Sequence, residues 1–167
     1  FMITIKKQAG VGLIEVLVAL LILAVGVLGF VALQYRAIEA SSEGANRVQA
    51  INLARDLAEK IRVNRDQLGV YATAIAGNAT NITNPNCYTA FCTPTQMARF
   101  DAALTNLSAQ RVGMTVNMFA CPEVSNGRRC IYVAWGDTAA TNADGLNNCT
   151  TAGAYRDEST CVVMEAY

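Results

Sequence analysis

Histidine is absent from this 167-residue chain, lysine occurs only at positions 6, 7 and 60, and no proline comes before Pro85. Without an imidazole there is no histidine general base and no Ser-His-Asp set. A phosphate-cradling loop closed by Gly-Lys is missing as well, and no two carboxylates stand out from turn composition. Enzymatic work is therefore not expected, and the chain reads as a structural subunit. No Cys-x-x-Cys pair occurs, which speaks against a zinc site and against a thiol redox pair; no metal and no cofactor are expected. Basic and acidic residues balance at 13 each, so a nucleic-acid partner is not expected either. The lack of early proline leaves nothing to interrupt a helix in the first third of the chain.

What that first third does contain is an apolar run. From Val11 to Tyr35 the only charge is Glu15, and the remaining residues are aliphatic or aromatic apart from glycines and Gln34. As a helix this run reaches roughly 37 Å, enough to cross a bilayer core of about 30 Å with some tilt. A secretory signal has a shorter apolar stretch with a small-residue cleavage site behind it, whereas this one continues into a helical pattern. Glu15 is the anomaly. A carboxylate in such a helix costs about 2.5 to 3.5 kcal/mol on insertion scales and calls for a partner. Lys6 and Lys7 are eight or nine positions away at the membrane edge, so a cation facing Glu15 has to come from another chain or from a new amino terminus. Lys6 and Lys7 ahead of the span, with Arg36 alone behind it, predict a cytoplasmic amino end and an exported remainder.

The basic leader with Lys6 and Lys7, the glycine at 10, and Val11-Gly12-Leu13-Ile14-Glu15-Val16-Leu17 leading into an apolar helix resemble the class III signal of the type IV pilins and pseudopilins. The resemblance implies an α+β fold in which a long amino-terminal helix, transmembrane in its first half, packs on an antiparallel β-sheet head with disulfides. It implies cleavage by a prepilin peptidase after Gly10, N-methylation of Val11, and a role for Glu15 in neutralising the new amino terminus of a neighbouring subunit. Val11 departs from the Phe or Met usual after the cut. The helix without proline, Gly26 and Gly29 within it, the helix expected at 94–107 and the strand end Val133-Ala134-Trp135-Gly136-Asp137 are most similar to minor pilins of the PilV type. Such a subunit primes pilus polymerisation, stays at or near the tip, and supports adhesion or twitching motility. Its partners are other minor pilins, the major pilin, the prepilin peptidase, the inner-membrane assembly platform and a tip adhesin; it resides in the inner membrane with a periplasmic head and then in the surface pilus. Two other readings share the amino terminus: a minor pseudopilin of a type II secretion system, and a DNA-uptake pilin, for which Arg128 and Arg129 are the only local basic pair.

Past Tyr35 polarity rises but the helical period persists, with Ile38, Ala45, Val48, Ile51, Ala54 or Arg55, Ala58, Ile61 and Leu68 recurring at three and four, and Glu43/Arg47 and Asp56/Lys60 spaced as supporting pairs. The expectation is one helix from 11 to about 65, on the order of 80 Å long. The chain divides accordingly: leader 1–10, apolar half-helix 11–35, amphipathic half-helix 36–66 and globular head 67–167. Residues 69–94 read as a connector of turns. Pro94 and Thr95 open a short helix through Leu107, with Thr95 as cap and Met97, Phe100, Ala103 or Leu104 and Leu107 on one face.

Strands are expected at 112–120, 130–135 and 161–167, the first two joined by a turn at Ser125-Asn126-Gly127. In the second, Cys130, Tyr132 and Ala134 alternate against Ile131, Val133 and Trp135. Between 136 and 159 lies a polar loop whose aspartates, Asp137, Asp144 and Asp157, lack the spacing of a calcium site. All six cysteines, at 87, 92, 121, 130, 149 and 161, fall in the exported part, where disulfides persist. Sequence does not decide among the pairings; the expected ones join neighbours, Cys87 with Cys92, Cys121 with Cys130 and Cys149 with Cys161.

Overall fold

The computed structural model describes residues 10–122, 124 and 126–166. Three α-helices come first, α1 (Leu13–Val63), α2 (Leu68–Ala76) and α3 (Pro94–Arg111), with a single 3-10 turn, Arg65–Gln67, between the first two. Six strands follow: β1 (Met114–Ala120), β2 (Arg129–Trp135), β3 (Ala139–Asn142), β4 (Asn148–Thr151), β5 (Ala154–Tyr155) and β6 (Cys161–Ala166). The chain divides into two compact units, residues 1–43 and 44–167, each described in turn.

The first unit contains the apolar half of α1. Leu, Val and Ala dominate it, and no proline removes a backbone donor, so the ladder of i to i−4 bonds is unbroken. Every described residue up to Glu43 is exposed.

In the second unit the same helix acquires a buried face. Ala50, Ala54, Leu57 and Ile61 are fully buried, at spacings of four, three and four that put them on one stripe. The expected stripe was different. Ile38 and Val48, placed on it from the sequence, are 69% and 59% exposed, and Ala50 and Leu57 carry the burial instead. Lys60 and Arg62 in the last turn suit the negative end of the helix. The helix ends where the Asn64 amide donates to the carbonyls of Lys60 and Ile61 at 3.2 and 3.1 Å.

α2 corrects the expectation of a connector starting at residue 69. Leu68-Gly69-Val70-Tyr71-Ala72-Thr73-Ala74-Ile75-Ala76 looks too rich in small and β-branched residues to be helical alone, but Tyr71, Ala72 and Ile75 are buried and the packing overrides the weak propensity. Its end is a Schellman arrangement: the Asn78 amide bonds Ile75 O at 2.9 Å and the Ala79 amide bonds Ala74 O at 3.0 Å. Asn78 takes the left-handed conformation this requires, φ +49°. α3 also differs from expectation. Thr93, not Thr95, caps it, in a capping box with Gln96 and with Pro94 in the first turn. The Thr95 hydroxyl instead bonds Gln67 Oε1 at 2.9 Å. The helix runs on to Arg111, and its buried residues are mainly small ones, Ala98, Ala102, Ala103 and Ala109 with Phe100, Thr105 and Asn106, while Met97, Leu104 and Leu107 are only partly buried.

The main sheet has the order β1-β2-β6 and is antiparallel throughout. β2 is central, and Cys130 to Trp135 are all buried. Its alternation sorts two cores. Ile131, Val133 and Trp135 join α1, α2 and α3 in the larger one. Cys130, Tyr132 and Ala134 join Cys121, Ala140, Cys149 and Cys161 in the smaller, where Tyr132 stacks on Phe119 with centroids 4.3 Å apart. The second core needs a cover, which corrects the expected polar loop at 136–159: β3, β4 and β5 form a second sheet there, with β3 and β4 parallel and β4 and β5 antiparallel. The first strand begins at Met114, not Val112, and Val112 is exposed.

Candidate assembly site

Gly10 and Val11 precede the first helical turn and are exposed. The Gly12 carbonyl accepts the amides of Glu15 and Val16 at 2.9 and 3.3 Å, so the helix starts on a glycine that offers no side-chain cap. A non-helical, solvent-facing bond at 10–11 is one a peptidase can engage without unwinding structure. Lys6 and Lys7 lie outside the described residues. Glu15 sits in the first turn of α1, where the exposed backbone amides carry partial positive charge. Its carboxylate is exposed and has no ion-pair partner among the described residues.

Around it the surface is apolar. Leu13, Ile14, Leu20, Leu21, Ile22 and Leu28 are all more than half exposed, and polarity returns at Gln34 and the Arg36–Glu39 contact, 3.5 Å. A patch of that extent requires an apolar surrounding, lipid or other helices. α1 is the one described helix long and apolar enough to cross a membrane. Gly26 and Gly29 face open space.

In the head the six cysteines are joined as Cys87–Cys92, Cys121–Cys130 and Cys149–Cys161. Cys149 and Cys161 are in the smaller core, tying β4 to the start of β6, and Cys121–Cys130 closes the β1–β2 hairpin. The expected turn of that hairpin includes Ser125, which lies outside the described residues. Arg128 donates to Glu165 at 2.6 Å, so the basic pair at 128–129 is already half neutralised. Among the described residues no group of three or more His, Cys, Asp or Glu could hold a metal ion.

One polar network escaped the sequence. The hydroxyl of buried Tyr71 donates to Asp101 Oδ2 at 2.8 Å, and Lys60, whose carbonyl also lies near that hydroxyl at 3.4 Å, bonds Asp56 at 2.7 Å. Burial, then the hydrogen bond and charge of Asp101, push the Tyr71 phenol well above its ordinary range. Burial likewise raises Asp101, with the Tyr71 hydrogen bond and Lys60 pulling the other way. Residues thirty positions apart give no periodic signal by which this pair could have been found.

Residues 32–103 match the family described as Tt1218-like, type IV pilin Tt1218, and residues 5–31 match the prokaryotic N-terminal methylation motif. No curated protein and no solved structure shows a significant match. The long apolar helix, the carboxy-terminal antiparallel sheet and three disulfides define the class of protein: an α+β type IV pilin fold. The two matched segments are similar to a type IV pilin and to a prepilin amino terminus, which supports a pilin-type subunit. Partners come with that class, namely other pilins and the prepilin peptidase, and its members are structural subunits.

Proposed function

We propose that this chain is a minor pilin, similar to the PilV type, that primes type IV pilus assembly and is incorporated at or near the tip. It is made as a prepilin. The leader, residues 1–10, holds Lys6 and Lys7 on the cytoplasmic side, the peptidase cuts after Gly10, and Val11 becomes the N-methylated terminus. Residues 11–35 lie in the inner membrane until assembly and then among the helices of other subunits, with the disulfide-bonded head outside the cytoplasm. In the filament Glu15 faces the ammonium of a neighbour's Val11. An unpaired carboxylate in that surrounding is costly, and an opposite charge relieves the cost. Retention of Glu15 lets the chain accept a subunit ahead of it, which places it below the extreme tip.

The observation that carries this reading is the fully exposed apolar surface of 11–35, broken by a single carboxylate one turn from its start. Mass spectrometry of the mature protein from sheared surface filaments tests it. A methylated Val11 terminus is the expected species. Recovery solely as an uncut membrane protein overturns the reading, and recovery solely from a secretion pseudopilus replaces it with the pseudopilin alternative. Deleting the protein should also lower the number of surface pili, as counted by electron microscopy.

A further inference from the structure

The head holds an exposed apolar surface that assembly through 11–35 does not use. The six-residue ring closed by Cys87–Cys92 carries Phe91 wholly in solvent, 108% of its reference exposure, and Tyr88 at 70%. The ring is not loose. Asn86 accepts the amides of Tyr88, through its side chain at 3.0 Å, and of Thr89 and Ala90, through its carbonyl at 3.1 Å each. Tyr88 also rests edge-on against Phe100 of α3, centroids 5.0 Å apart. Directly beside the ring is a groove of about 610 Å³ with Val63, Cys92, Pro94 and Met97 on its apolar walls, and Val63 is 88% exposed.

Charge identifies the occupant. The groove is lined by three carboxylates, Asp56, Glu59 and Asp101, against one ammonium, Lys60; Lys60 and Asp56 pair at 2.7 Å, which leaves Glu59 and Asp101 as its excess negative charge. On the same helix Arg62 stands 3.9 Å from the largely exposed Glu59. A ligand entering this groove gains from aliphatic surface and from positive charge, and loses from negative charge.

We propose that Phe91 and the Val63–Pro94–Met97 groove form one docking surface for a segment of a different protein that presents aliphatic side chains flanked by lysine or arginine. The rigid ring lets Phe91 enter a pocket on the partner with little ordering cost, as an interface anchor does. The acidic groove then fixes the register of the partner's basic residues. This surface lies entirely within residues 56–101, so it does not depend on the roles given to Gly10, Val11 and Glu15.

The test is photo-crosslinking in cells that make the full chain, with a benzoylphenylalanine probe at position 91 or 97 and a control probe at position 155, an exposed site on β5. The expected result is an adduct from 91 and 97, at least tenfold above the control. Sequencing of the linked peptide should show Lys or Arg next to an aliphatic residue of another protein. Glu59→Lys, a change at an exposed helix position that leaves the head folded, should lower the adduct about tenfold without altering the amount of subunit in the filaments. The proposal is overturned if positions 91 and 97 link no better than 155, if the linked peptide is acidic or belongs to a second copy of this chain, or if Glu59→Lys leaves the adduct unchanged. Loss of Val11 processing would undermine the assembly reading and leave this result standing.

Discussion

One helix serves two regions of this molecule under opposite rules. Up to Glu43 its large apolar residues face outward and none is buried, whereas from Ala50 to Ile61 the residues that matter are turned inward and two of the four are alanines. Helical propensity is similar in both halves, so propensity does not distinguish them. What differs is where the contacts that reward burial come from. For the head they come from α2, α3 and the main sheet, and the first region requires them from outside the chain. Fold stability thereby belongs to the second part of the element, and the assembly proposed above to the first.

Substitutions can break that division, and the largest effect is expected at Glu15. Glu15→Ala should reduce incorporation into filaments by tenfold or more, measured by quantitative blotting of sheared pili, while the melting temperature of the head stays within a degree. Wild-type incorporation of that variant would end the proposed ion pairing. Next in size, Leu57→Ala or Ile61→Ala should destabilise the head by about 2 to 5 kcal/mol in chemical denaturation, whereas Leu17→Ala should leave it unchanged. A measurable loss of head stability from Leu17→Ala would show that the two regions are not separable.

The disulfides sharpen the comparison within the head. Replacing both Cys149 and Cys161 by serine should cost about 3 kcal/mol on loop-closure grounds, against about 2 for Cys87 and Cys92, whose ring is shorter. The difference should be larger than the loop entropies alone give, because Cys149 and Cys161 are buried and hydroxyls there would lack the apolar contacts. The smallest effect is expected at the polar network. Tyr71→Phe leaves the half-buried Asp101 without its donor and should cost about 1 kcal/mol. A titration gives the sign independently. Because the folded Tyr71 phenol holds its proton above the ordinary pKa, its contribution is intact below about pH 10 and is lost as pH rises through the folded value. The head should therefore lose stability in strong base, and Tyr71→Phe should flatten that loss.

How much of this could be read from residues follows from the kinds of signal each element emits. The apolar run and the alternation in β2 are strong patterns of one residue class, and each marks a feature of the structure at the positions where it was read. Alanine is different. Ala50, Ala98 and Ala102 are core residues that look neutral in sequence, so the stripes on α1 and α3 were drawn partly through larger neighbours such as Val48 and Met97. Pro94 marked the start of α3, but either flanking threonine could have capped it; Gln96 three places after Thr93 was the deciding clue. α2 and the sheet of β3, β4 and β5 owe their existence to tertiary cover. Short strands such as Asn148–Thr151 have no visible alternation, and their hydroxyls are satisfied in pairs, as where Thr150 bonds Asn142 at 2.7 Å. Tyr71 and Asp101 meet only because two helices bring them together.

The three cross-links each join a cysteine to the next one in the chain, the widest pair being 12 positions apart. A polypeptide delivered amino end first therefore exposes its thiols two at a time, in the order in which they are to be oxidised. Pairing each cysteine with the next one to appear is the rule this connectivity obeys. An oxidant that joined cysteines strictly in chain order would give this head its connectivity.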